Sequence, residues 1–132
     1  MENITVKIDK INDISESYRQ FYKDTSDSTG TILVHHGKAK YPGKYVKDYS
    51  EIKLYEKTPE AEKILKEKAA EIFKKYNLNS LLAVHNIGTI YKNDPILFLA
   101  VEAKDRETGF KGMRELLEFI KSEKFLGLEE IK

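Results

Sequence analysis

The sequence predicts an α+β fold: a mixed, mostly antiparallel sheet carrying three helices. Two observations carry this. The predicted elements run strand, helix, strand, strand, helix, strand, strand, helix. Strands therefore follow one another twice with no helix between, unlike a doubly wound parallel sheet. The second observation is ILFLAVEA, residues 96–103, an almost unbroken apolar run. Such a run fits a strand covered on both faces at the centre of a sheet.

ITVKI, residues 4–8, alternates apolar and polar side chains as a half-buried strand does. DISE, residues 13–16, reads as a capping box, with Asp13 as acceptor and Glu16 three residues on. Ile14, Tyr18, Phe21 and Tyr22 then recur at helical spacing, and the polar DTSDSTG ends that helix. GTILVHHG, residues 30–37, is the next strand. Residues 38–50 are basic, aromatic and turn-rich, with a Pro-Gly pair, and are expected to form a mobile loop. EIKLYE, residues 51–56, is a short strand. Thr58 is placed to cap a second helix, with Pro59 at its first position. Ala61, Ile64, Leu65, Ala69, Ile72, Phe73 and Tyr76 form its apolar stripe. Lys74 and Lys75 suit its C-terminal dipole, and Asn77 stops it. SLLAVHNIG, residues 80–88, is a strand, and Lys92, Asn93 and Asp94 make a turn. Asp105 caps the last helix, with Phe110, Met113, Leu117 and Ile120 facing inward. FIKSEKFLGLEEIK, residues 119–132, reads as the end of that helix.

The 132 residues are the size of one domain, 1–132, long enough to bury a core without staples. A net charge of +1 gives no global field for nucleic acid or a membrane, so any anion site must be local. With no cysteine, disulfides, thiolate metal sites and cysteine nucleophiles are excluded. No apolar run approaches the roughly 18 residues of a membrane span, and no signal-peptide pattern opens the chain. A cytoplasmic protein is expected.

No Gly-rich phosphate loop, nucleophile elbow or HExxH spacing occurs. His35 and His36 are adjacent on a strand and so point to opposite faces, unable to share a metal. His85 closes an apolar strand, as either a hydrogen-bonded structural residue or a titratable group. Lys121 and Lys124 lie three apart near the last helix's end, on one side if the helix continues. There they complement the dipole, or serve chemistry. Arg106 sits in the first turn of the same helix, where a cation opposes the dipole, which favours a job such as binding an anion.

HNIGTIYKNDPILFLAVEAKDRETGF, residues 85–110, resembles the catalytic, large subunit of molybdopterin synthase, the MoaE family. That family shows a His-Arg-Ile-Gly strand start, a Gly-Asp turn, an apolar strand, and Ala-His-Arg opening a helix. GTILVHHGKAK and IKLYEKTPEAEKIL resemble its earlier landmarks. The resemblance runs from Gly30 onward, without a gap from His85 to Lys121. It implies an α/β hammerhead-like fold and a role in molybdenum cofactor biosynthesis. It implies sulfur transfer from the thiocarboxylated Gly-Gly C-terminus of a small ubiquitin-like subunit to a cyclic pyranopterin monophosphate, giving the molybdopterin dithiolene. It also implies a homodimer of large subunits within a heterotetramer, and no metal or cofactor. Lys121 falls on the first catalytic lysine, and Lys40, Arg106, His85 and His35 fall on or beside substrate-binding positions. Gly37 keeps a turn glycine. Four positions depart from the pattern: Asp105 for a histidine, Asn86 for an arginine, His35 for a phenylalanine, and Leu128 for the second catalytic lysine. Lys124 or Lys132 is the candidate to replace that lysine.

Two alternatives stay open. Leu128 and Asp105 fit a binding module of the same fold, holding a ubiquitin-like tail or an anionic ligand without catalysis. The lysines and tyrosines of residues 38–47 fit nucleic-acid binding, against which the balanced charge argues.

Overall fold

The computed structural model describes residues 3–132. The chain runs β1 (Ile4–Ile8), α1 (Ile14–Lys23), β2 (Thr31–Lys38), β3 (Glu51–Glu56), α2 (Ala61–Lys75), β4 (Ser80–His85), β5 (Gly88–Ile90), β6 (Pro95–Ala103), α3 (Arg106–Lys121) and β7 (Leu126–Ile131). Three helices and mostly antiparallel strands bear out the α+β expectation. The strands form two sheets, a larger one ordered β1-β4-β6-β2 and a smaller one ordered β5-β3-β7. Among the described residues only β1 and β4 pair in parallel.

The apolar run at β6 does what its composition predicts. Leu97 through Ala103 are all buried, between β4 on one side and β2 on the other. One face of the large sheet carries Val6, Leu81, Ala83, Leu97, Leu99, Val101 and Ala103. Against it pack Ala61, Leu65, Ala69 and Ile72 of α2 and Met113, Leu116 and Ile120 of α3. Each large apolar side chain buried there contributes about 1.5–3 kcal/mol. Gly109 lets α3 approach the sheet, since a Cβ there would lie 3.3 Å from both Ala103 Cβ and Leu33 Cδ1. A smaller core of Ala39, Tyr49, Ile52, Leu54 and Ile90 lies under the second sheet, and Ile96 packs against both cores.

Local expectations fare unevenly. Asp13 caps α1 by accepting from Ser15 N–H, but the box does not close: Glu16 pairs instead with Arg19 and Gln20. No residue of α1 is buried, and Tyr18 and Tyr22 stack on each other at 5.9 Å. Thr58 does not cap α2 directly. Its hydroxyl accepts from Glu60 N–H in a turn that precedes the helix. Asn77 ends α2 as expected, in the left-handed region at φ 50°. Phe110 faces solvent, 62% exposed, and Leu116 takes the buried position instead. The stripe follows i, i+3, i+4 from Gly109, which sits against the sheet, and Gly112, which sits against Leu78 and Tyr76.

Two strands were hidden in the sequence. Residues 80–88 do not form one strand: the chain turns at Asn86 and Ile87, and β5 joins the other sheet. The closing residues do not prolong the helix. It ends at Lys121, Glu123 adopts φ 57°, and β7 pairs along β3 from Glu56↔Leu126 to Glu51↔Ile131. Residues 38–50 are not a free loop either. The Glu130 carboxylate accepts N–H bonds from Lys44, Tyr45 and Val46 at 3.0, 2.7 and 2.7 Å. Tyr49 O–H donates to the Lys40 carbonyl at 2.7 Å, and Tyr49 is buried.

One ionic cluster ties α2 to α3. Glu115 accepts from Tyr76 O–H at 2.7 Å and pairs with Lys75 and Lys68 at 3.0 and 3.2 Å. The Tyr76 hydroxyl first, then Lys75, hold its carboxyl at about 2, below the ordinary 4.5, against the opposing effect of burial. A depressed carboxyl stabilises the fold above its unfolded pKa and loses that contribution as pH falls through the folded value. Glu115→Gln is therefore expected to lower unfolding free energy by on the order of 1–2 kcal/mol at neutral pH. In urea titrations the gap to wild type should close between pH 4.5 and about 2. A gap that persists unchanged in acid would assign the loss to packing.

Candidate functional site

The two sheets meet at a seam, and a narrow cleft of about 60 Å³ opens there. Five elements build it. β4 contributes His85, its last residue; β6 contributes Ile96 and Leu97; α3 contributes Ile120 and Lys121. Leu54 of β3 and Leu126, Gly127 and Leu128 of β7 form the far wall, and Glu123 stands at the turn between. Leu54 and Leu128 are direct partners in the β3–β7 ladder, so two apolar side chains face the cleft together. Gly127 has no room for a side chain, because a Cβ there would collide with the Tyr55 ring.

His85 is buried, 6% exposed, and its Nδ1 lies 2.7 Å from the Asn86 carbonyl. Burial pushes its pKa below the usual imidazole value, and the nearby Lys121 ammonium adds to that. The Asn86 bond opposes both. His35 is half-buried on the same side of the sheet and is lowered by burial, then Lys121, then His36. His85 pairs with Leu97, and Leu97 pairs with Gly37, two residues from His35. Gly37 lies in β2, beside a register shift, and not in a turn. Its missing side chain keeps the space over Leu97 open: a Cβ would sit 2.9 Å from Leu97 Cδ2 and 3.5 Å from His35 Nε2. His36 points the other way and is exposed, as strand alternation requires.

Of the residues singled out by sequence, Lys121, His85 and His35 therefore come together. Lys40 is exposed on the neighbouring loop. Its charge reaches Glu130, two residues along β7 from Leu128. Burial pulls the Glu130 carboxyl upward, but the N–H groups of Val46, Tyr45 and Lys44, with Lys40, outweigh it and hold it low. Lys124 is exposed in the turn and does not line the cleft, because the left-handed Glu123 ends the helix that would have carried it onto the face of Lys121. Lys132 lies 3.5 Å from Asp48. Arg106 is at the opposite end of α3, about 22 Å from Lys121 along the axis at 1.5 Å per residue. There it borders a shallow depression with Gly30, Thr31, Lys104 and Asp105.

Sequence reasoning missed the structural weight of Asn86. Its Oδ1 accepts from Ile11 and Ile87 N–H at 3.2 and 2.9 Å, and its Nδ2 donates to the Pro95 carbonyl at 2.7 Å. An asparagine between two apolar runs was the only signal. Among the described residues no cluster of three His, Cys, Asp or Glu side chains is arranged to hold a metal. No described helix is long and apolar enough to cross a membrane.

The fold is shared with solved structures. A molybdopterin synthase from Staphylococcus aureus superposes with a TM-score of 0.80 at 24% identity, covering 96% of this chain and 90% of that one. Molybdopterin cofactor biosynthesis protein E from Burkholderia multivorans gives 0.73 at 20%, covering 100% and 84%. A complex of subunits 1 and 2 of molybdopterin-converting factor from Helicobacter pylori gives 0.71 at 13%, covering 96% and 83%. No curated protein sequence matches the chain. At these identities the likeness is one of fold, and the class it defines is the molybdopterin synthase-like α+β domain. The family model described as MoaE protein matches residues 8–123, and the chain belongs to that family. Its place is in molybdenum cofactor biosynthesis, in a biosynthetic enzyme role.

Asn86→Ala removes the partners of two N–H groups and one carbonyl at the seam, and is expected to cost about 2–4 kcal/mol. Asn86→Asp keeps the acceptor and should cost less. Chemical denaturation of both variants measures the difference; equal losses would mean that the Pro95 contact carries the whole effect.

Proposed function

We propose that the chain is the large, sulfur-transferring subunit of a molybdopterin synthase, acting in the cytoplasm as one domain over residues 1–132. The observation that carries this is Lys121 at the rim of a narrow cleft that His85 also lines, with His35 close by on the same side of the sheet. About 60 Å³ is too small for a ring-sized ligand, whose pockets run to about 300 Å³ and more. It suits an extended tail without side chains, such as the Gly-Gly terminus of a small ubiquitin-like subunit. The Helicobacter pylori neighbour, a complex of two subunits, supports such a partner.

In this scheme the thiocarboxylate enters the cleft and meets Lys121. The ammonium offsets its charge and then the charge that develops as sulfur is transferred. The pterin stays at the mouth, with its phosphate toward Lys40 and His35. Arg106, about 22 Å away on the same chain, reaches that phosphate only from a second copy, which fits a homodimer. Lys124 takes the weaker part of second cation, next to Glu123 at the rim.

A second reading is favoured by Leu128. It occupies the cleft wall where the family pattern has a lysine, and it packs on the smaller core. In that reading the cleft binds the tail without turnover.

Reconstitution with a thiocarboxylated small subunit and the cyclic pyranopterin separates the two. Dithiolene product, followed as its fluorescent oxidised derivative, is expected from wild type. Lys121→Ala should lower it about 10²–10⁴-fold, with the melting temperature unchanged, and Lys124→Ala should lower it less. Tail binding without product, beside an active family member, would establish the binding module instead.

A further inference from the structure

The buried imidazole of His85 has one engaged nitrogen and one open one. Nδ1 lies 2.7 Å from the Asn86 carbonyl. A carbonyl only accepts, so Nδ1 carries the proton and Nε2 of the neutral ring holds a lone pair. Nε2 has no hydrogen bond to a described residue, and among those residues no fully buried side-chain nitrogen or oxygen lacks a partner. Nε2 is therefore open to solvent, although the residue is only 6% exposed. His85 lines the cleft together with Lys121.

The cleft is large enough to admit water. Its wall is otherwise apolar: Leu54, Ile96, Leu97, Ile120, Leu126 and Leu128. The charged and titratable groups around the ring are Lys121 of α3, Glu123 of the following turn and His35 of β2. On the β1 and α2 side, Glu62 accepts from Ile8 N–H, and Ile8 pairs with His85. A lone-pair acceptor, a water-sized space and an ammonium in one apolar cleft are the parts of a hydrolytic site.

We propose that His85, through Nε2, is the general base that activates the water which frees the spent tail after sulfur transfer. His85 takes this part only if the sulfur transfer proposed above takes place. A thiocarboxylate that has bonded its sulfur to the pterin carbon is a thioester between tail and pterin. Water adds to its acyl carbon and gives one proton to Nε2. The acyl C–S bond breaks, and its electron pair stays on the sulfur, now held by the pterin alone. The tail leaves as a carboxylate, and its remaining proton and the one on His85 pass to solvent. No oxidant or reductant is needed. Lys121 faces the oxyanion that forms between these steps. The low pKa that burial and Lys121 give His85 keeps its base form available near neutral pH.

The test is a single turnover with wild type and His85→Gln, using a thiocarboxylated small subunit and the cyclic pyranopterin. His85→Gln is expected to slow product release about 10²–10³-fold. A covalent tail–pterin adduct should then accumulate, seen by intact mass. The acid limb of the wild-type pH profile should disappear in the variant. Wild-type turnover in His85→Gln, or slow turnover without adduct, overturns the assignment while leaving sulfur transfer in place. Wild type that forms neither product nor adduct removes sulfur transfer, and the role of His85 with it. Nitrogen NMR of histidine in the unmutated protein stands apart from how the variant folds. It should show His85 neutral at pH 7 with Nδ1 protonated and Nε2 bare, and a proton on Nε2 overturns the proposal.

Discussion

The structure hangs on one crossing. The chain leaves the large sheet at His85 and enters the small one at Gly88, with only Asn86 and Ile87 between. A sheet-to-sheet switch this short strands backbone donors and acceptors, and each left unpaired inside costs about 1–3 kcal/mol. Asn86 closes the gap: its own N–H bonds the Ile96 carbonyl at 2.8 Å, and its side chain serves Ile11, Ile87 and Pro95. The same carboxamide therefore joins the end of β1, the start of β5 and the start of β6. The seam between the sheets is the cleft, and His85 is its last residue on the large-sheet side.

The second constraint is β7. It is the last strand of the chain, and it makes three connections at once. Its ladder with β3 places Leu128 opposite Leu54 in the cleft. Glu130, two residues on, gathers three N–H groups of the loop that carries Lys40. The turn that feeds it holds Glu123 beside Lys121, and Lys57 donates to the Glu123 carbonyl at 2.6 Å. Cleft wall, loop and helix end are thus set by one strand. Electrostatics here is local, as a net charge of +1 requires. Glu115 and Glu130 each sit among donors that keep the carboxylate charged, one between helices and one inside a loop.

The sequence by itself determined the elements whose signal is local. β6 is legible because seven consecutive residues are buried on both faces, and a continuous apolar run has no other stable place. Asp13 and Asp105 mark helix starts through bonds to N–H groups two and three residues away. The opposed directions of His35 and His36 follow from strand alternation alone. Lys121 and His85 were legible as candidates through the spacing they share with a family. Tertiary structure decided the rest, because the partners are far apart in the chain. β7 reads as a helix end until β3, some 75 residues earlier, offers its backbone bonds. The loop of residues 38–50 reads as mobile until Glu130 reaches it across more than 80 residues. Arg106 and Lys121 read as one site on one helix, but sixteen residues of rigid rise hold them at its two ends. Local pattern records which face of an element wants burial; only the packed chain records which distant backbone group, charge or cavity that element meets.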